Sequence, residues 1–198
     1  MDKRGKMRLM LVWGLIIAMT LVTTGCTAGR SESADSDSEQ QKVYDNVVYK
    51  LYKQIEINDN KADMEKTLGA TGNTSPEGSY VYVDQDTGYA VNVFFNAKNL
   101  VTLKLLVPTT GARELIELSK ASVTREDAEK ITPGMTRSNV RKALNGVGVE
   151  MLRMVIPDGS DKEAYALAWI NINGSILVVT FDADTDTVLA AEFRDSLL

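Results

Sequence analysis

The sequence predicts an α+β protein built from two tandem repeats, each a helix-loop-helix packed on an antiparallel β-meander. Three observations carry that expectation. The stretch "ITPGMTRSNVRKALNG" (131–146) has a fainter copy in "IEINDNKADMEKTLGA" from Ile55, and a shift of 76 residues sets Met64 on Val140 and Leu68 on Leu144. After each copy the apolar period changes to two. Gly88 and Gly174 each stand seven residues before a phenylalanine, Phe95 and Phe181. The same signals twice, in the same order and at similar spacing, mark an internal repeat.

In chain order, "MDKRGKMR" carries four basic residues against Asp2, and sixteen uncharged residues follow, "LMLVWGLIIAMTLVTT". That is the n-region and h-region of a signal peptide, assigned to 1–25, and the run is short for a spanning helix. "LVTTGC" then ends in Cys26, the one cysteine of the chain. It resembles a bacterial lipobox, which implies lipidation of Cys26. Two or three acyl chains, palmitate among them, suffice for stable anchoring because each buried methylene contributes about 0.8 kcal/mol. The next residues, "TAGRSESADSDSEQQ", hold four acids, one arginine and no aliphatic larger than alanine. Too little apolar surface is present to offset the entropy of ordering, so 26–41 is expected to be a disordered tether with a reach of about 20 Å.

Without residues 1–25 the chain keeps 18 Lys and Arg against 26 Asp and Glu, a net charge of −8. Nucleic acid is excluded as a partner on that balance, since its affinity comes largely from neutralised phosphates. The globular remainder divides into repeat 1 (42–110) and repeat 2 (111–198).

Repeat 1 opens with a helical stripe over 41–54, formed by Val43, Tyr44, Val47, Val48 and Leu51. Asn60 caps the cassette helix "KADMEKTL" and Gly69 stops it. Strands follow near 80–84, 89–95 and 100–107. Repeat 2 opens with "REDAEKI", where Thr124 and Asp127 are spaced as a capping box. Thr136 caps "RSNVRKAL" and Gly146 stops it. A strand near 150–156 precedes the meander of 164–193, with Asn173-Gly174 as a hairpin turn. "DADTDT" (182–187) has acids at alternate positions like a calcium loop, but Thr187 and Phe193 stand where the glycine and glutamate belong, so a hairpin turn is expected.

"GMTRSNVRKALNG", followed by a meander with Trp169 and a closing apolar hairpin, resembles the repeat of the β-lactamase inhibitory proteins. It is also similar to the SmpA/OmlA-like envelope lipoproteins, with a peptidase-propeptide-like unit as the alternative for the second half. The resemblance implies tandem helix-loop-helix and sheet domains that bind protein with the sheet face turned from the helices. If Val81, Val83, Val91, Val93 and Phe95 face the helices, then Tyr80, Tyr82, Asn92 and Phe94 face outward, with Tyr165, Leu167 and Trp169 comparable in the second half. The turn "DQDTGY" offers Asp86 and Tyr89 in the place of the inhibitors' aspartate and tyrosine. Partner-binding candidates are therefore Tyr80, Tyr82, Asp86, Tyr89, Phe94, Tyr165 and Trp169. The competing reading packs these aromatics against one another.

The chain has no histidine, and no thiol remains once Cys26 is lipidated, which removes the usual bases and nucleophiles. No catalytic residue, metal site or cofactor is expected. The functional expectation is an extracytoplasmic lipoprotein of the cell membrane, anchored through Cys26, that acts as a non-catalytic protein-binding or envelope-assembly module. A small-ligand sensor and a cell-wall-directed enzyme using carboxylates remain the alternatives.

Overall fold

A computed structural model describes residues 41–109 and 112–196. The expected signal peptide, Cys26 and the expected tether up to residue 40 lie outside the described residues. Among those described, no helix is long and apolar enough to cross a membrane.

Eight strands form one antiparallel sheet in simple sequence order: β1 (Asn73–Thr74), β2 (Tyr80–Asp84), β3 (Tyr89–Phe95), β4 (Val101–Pro108), β5 (Val149–Val155), β6 (Glu163–Ile170), β7 (Ile176–Asp182) and β8 (Thr187–Arg194). Helices accompany them, among the described residues α1 (Lys61–Leu68), α2 (Arg113–Ser119), α3 (Arg125–Glu129) and α4 (Arg137–Leu144), besides helical residues at 41–44. The fold is α+β. The two expected meanders are halves of one sheet, joined where Leu103, Lys104 and Leu105 of β4 pair with Met154, Arg153 and Leu152 of β5. Sequence reasoning missed β1 and α2. Two residues are too few for a visible alternation, and α2 lacks a side-chain cap at its start.

Both cassette helices start as expected, with Asn60 accepting from the Ala62 N–H and Thr136 from the Asn139 N–H. Gly69 stops α1 in the left-handed region. Asn145, at φ 50°, does the same for α4, so Gly146 is not the stop. Asparagine tolerates that conformation better than most side chains.

Each cassette is also fastened to its sheet by matching bonds. The Asn58 N–H donates to Val101, the Val101 N–H to Asp59 and the Lys61 N–H to Asn99; the Gly134 N–H donates to Val188, the Val188 N–H to Met135 and the Arg137 N–H to Asp186. The ladders of both halves slip one residue directly before the phenylalanine, between Phe94 and Phe95 and between Thr180 and Phe181.

The segment 41–54 is not one helix. It breaks at Asn46, which is extended (ψ 147°) and accepts from the Val48 N–H, and it continues as 3-10 turns over 47–49 and 52–54. A short polar side chain competing for backbone N–H groups explains the break. Val47 consequently leaves the expected stripe and is 59% exposed, while Tyr49 and Tyr52 are fully buried. At the other cassette entrance, α3 has the expected capping box between Thr124 and Asp127.

The helices α1 and α4 cover one face of the sheet. Met64 of α1 packs in a cluster with Tyr82, Val91, Val93 and Val101, and Val140 and Leu144 of α4 in one with Tyr165, Leu167, Trp169, Val179 and Phe181. α2 contacts β5 and β6, and its Leu115 joins Val149, Ala168 and Ile170 at one end of the other face.

Candidate functional site

The register decides which side chains share a face, because partners directly opposite in a ladder point the same way. Tyr80 pairs with Val93 and Tyr82 with Val91, while Val81 pairs with Asn92 and Val83 with Ala90. The expected faces of β2 are therefore reversed: Tyr80 and Tyr82 lie with Val91 and Val93 on the helix side, and Val81 and Val83 lie on the open side. Phe94 stays on the open side, opposite Leu103.

Followed across the sheet, the open face is apolar. One row runs Phe94, Leu103, Met154, Ala164, Asp182; the next runs Val81, Asn92, Leu105, Leu152, Ala166, Thr180; a third runs Val83, Ala90, Val107. Asp182, at the β7 end of the first row, is the one charged side chain in these rows, and its carboxylate accepts from Asp184 and Thr185 of its own turn. Val83 is 40% exposed and Val81, Phe94, Leu103, Leu105, Val107, Leu152 and Met154 are partly exposed, and none of them joins either core cluster. Ala164 and Ala166 of β6 are buried on this face beside Met154 and Leu152 of β5, while Ala168 lies under Leu115 of α2. A contiguous apolar surface of this kind marks an interaction site in a water-soluble body.

The remaining candidates from the sequence lie elsewhere. Tyr82 is buried and donates its hydroxyl to Glu65 at 2.9 Å, and Tyr89 is buried and donates to Glu114 at 3.1 Å. Trp169 is 1% exposed, its indole N–H bonded to the Gly146 carbonyl at 3.2 Å. Tyr80 packs edge-on against Phe95 beneath the Lys61 ammonium. Asp86 is exposed in its turn and pairs with Lys50 at 2.7 Å, which holds its carboxyl below the usual range. Tyr165 is buried, stacked on Phe181 and hydrogen-bonded to Asp186. These side chains are spread over the core and two rims, and only Phe94 is in the open apolar field.

On the helix side, a cleft of about 520 Å³ lies over the β4–β5 junction, lined by Tyr44, Glu56, Arg137, Glu150, Arg153, Tyr165 and Asp186. Beneath it Lys104 is fully buried, donating to the carbonyls of Tyr52 and Ile55 with Glu56 at 3.6 Å. Burial pushes its ammonium below the ordinary lysine value, partly offset by Glu56 and Glu150. Glu150 accepts from the Tyr52 hydroxyl at 3.0 Å and from Arg153 at 3.2 Å. Burial opposes the charge on Arg153, but Glu150 outweighs it and raises the guanidinium pKa. Arg137 pairs with Asp186 at 3.0 Å. These acids each face a cation, and the contacts of Lys104 and Glu150 tie residues 52–56 across the junction. A comparison with protein families and with curated proteins finds no match for the chain.

Proposed function

We propose that the protein is a non-catalytic, lipid-anchored envelope module that holds a protein partner on the open face of its sheet. The observation that carries this reading is the largely apolar field spanning six strands, from Val83 on β2 to Thr180 on β7, with Asp182 as its one charge at the β7 end. The predicted leader and Cys26 place the body outside the cytoplasm, on a tether long enough to hold it off the bilayer. The body is one helix-loop-helix and meander module in duplicate. Support comes from the matching bonds of the two cassettes, the matching bulges and the 76-residue shift that carries Gly72 to Gly148 and the first residue of β1 to that of β5. Duplication joins two half-sheets into one face wide enough for a protein, in keeping with the protein-binding sheet face that the cassette's resemblance to the β-lactamase inhibitory proteins implies.

The test is co-purification from detergent-solubilised membranes with the parent chain and with Leu105→Glu. A charge placed in the middle of the apolar field loses the partner at least tenfold while the secondary structure stays unchanged, since a desolvated unpaired charge opposes association. Equal recovery with both chains, or no partner with either, overturns the reading.

A further inference from the structure

At the outer edge of the sheet, β1 is only two residues long, and the hairpin it forms with β2 closes through the Ser75 N–H bonded to the Ser79 carbonyl. That closure makes Asn73 and Val81 a hydrogen-bonded pair, so Val81 and, two residues on, Val83 direct their backbone groups outward. Beyond Asn73 the chain turns away. Among the described residues no strand pairs with Val83 on that side. A groove of about 540 Å³ runs there, lined by Lys50, Gln54, Leu68, Thr71, Val83 and Asp84 among others.

The other half of the molecule fills the same place. Tyr82 covers Gly72 as Trp169 covers Gly148, which makes Val83 the counterpart of Ile170 and Asp84 that of Asn171. The Ile170 N–H is taken by the Ser119 hydroxyl at 2.8 Å. Ala121 lies parallel to Asn171, and the Asn171 side chain clasps both backbone groups of Val123, at 2.8 and 2.7 Å. A short segment, Ala121 to Val123, is thus seated on the edge of β6 through one bridge and the Asn171 clasp, and the edge of β2 offers the same backbone groups over a groove. The polar lining differs in one telling way: where Asn171 both accepts and donates, Asp84 only accepts. With Asp86 beside it, two carboxylates face one ammonium, that of Lys50, at 3.7 and 2.7 Å.

We propose that this groove takes an extended basic segment of the partner protein, laid against the edge of β2 as residues 121–123 lie against β6. The partner's backbone carbonyl accepts from the Val83 N–H, and a lysine or arginine of the segment meets Asp84 and Asp86. The inference rests on the protein-partner reading above and names a second, peptide-like contact at the rim of the sheet.

The experiment places a photo-reactive phenylalanine analogue at Gln54 in the groove or at Leu105 on the open face of the full-length lipoprotein in its own membranes. Adducts are then mapped by mass spectrometry. The expected result is one partner from both positions, with the Gln54 adduct on an extended stretch containing lysine or arginine. Val83→Pro removes the outward N–H at a position where an edge strand accepts proline. It reduces the Gln54 adduct at least tenfold and spares the Leu105 adduct. Asp86→Lys, at an exposed position, does the same and serves if the proline variant loses its buried-tryptophan emission. An adduct from Leu105 alone overturns the groove and leaves the open face standing. Adducts from neither position overturn both. An adduct from Gln54 to a second copy, to the chain's own residues 27–40, or undiminished by either variant also overturns the groove proposal.

Discussion

Gly72→Ala is the sharpest probe of how the first half is packed. A Cβ built at Gly72 stands 2.6 Å from Cζ of Tyr82 and 2.9 Å from both Cε atoms. Carbon atoms prefer about 3.5–4.0 Å, so the ring must retreat by about 1 Å. Tyr82 is 3% exposed and its hydroxyl is bonded to Glu65, so the retreat also breaks that bond. Overpacking costs about 1–3 kcal/mol and a lost hydrogen bond about 1 kcal/mol; together, roughly 3 kcal/mol is expected. For a folded body of this size that lowers the melting temperature by about 9 °C. The control is Gly69→Ala, where nothing lies within 4 Å and only the left-handed backbone (φ +62°) is penalised, by about 1 kcal/mol. Removing the ring in the double variant Gly72→Ala/Tyr82→Ala opens the space, so the two penalties do not add; a cycle measured by thermal unfolding reads the difference. A Gly72→Ala protein that melts with the parent, or penalties that simply sum, refutes the packing described.

Trp169 is the one tryptophan of the chain after residue 25 and is 1% exposed, so its emission is blue-shifted and acrylamide quenches it weakly; strong quenching contradicts its placement beneath the 144–148 loop. Alkaline stability is set by tyrosines. Burial above all, helped by neighbouring carboxylates, raises the pKa of Tyr44, Tyr49, Tyr52, Tyr82, Tyr89 and Tyr165 above the ordinary 10.0. With folded values above unfolded ones, their contribution is complete below pH 10 and is lost as pH rises beyond it. Phenolate absorbance therefore rises in one cooperative step together with loss of the sheet's circular dichroism, and gradual ionisation near pH 10 with the sheet intact contradicts this.

The strand pattern was legible because each run alternates between turn residues: β2, β3, β6, β7 and β8 fall where the period of two places them. The faces were not. Alternation separates two sets of side chains without saying which set is inside, and β4 shows how the pattern misleads. In β4 the aliphatics Leu103, Leu105 and Val107 alternate with a set that includes Lys104, yet Lys104 is the one fully buried and the three aliphatics lie on the open face. The buried charges at the junction, Lys104 and Glu150, find partners on Tyr52, Ile55 and Glu56, roughly fifty to a hundred residues away along the chain, where no local pattern reaches. The signal that was available lies in "LVTLKLLV" and "VEMLRMVI", apolar on both alternations, which is how strands covered on both sides read. The helices cover one of those sides. A partner is proposed for the other.

Oxidative footprinting of the protein in its native membranes, set against the purified protein, tests that central claim most directly. If a partner occupies the open face, Met154, Phe94 and Leu105 are modified several-fold less in membranes than after purification, while Val47 and Ile172, exposed away from that face, react alike in both. Equal modification of Met154 and Phe94 in the two states contradicts the claim.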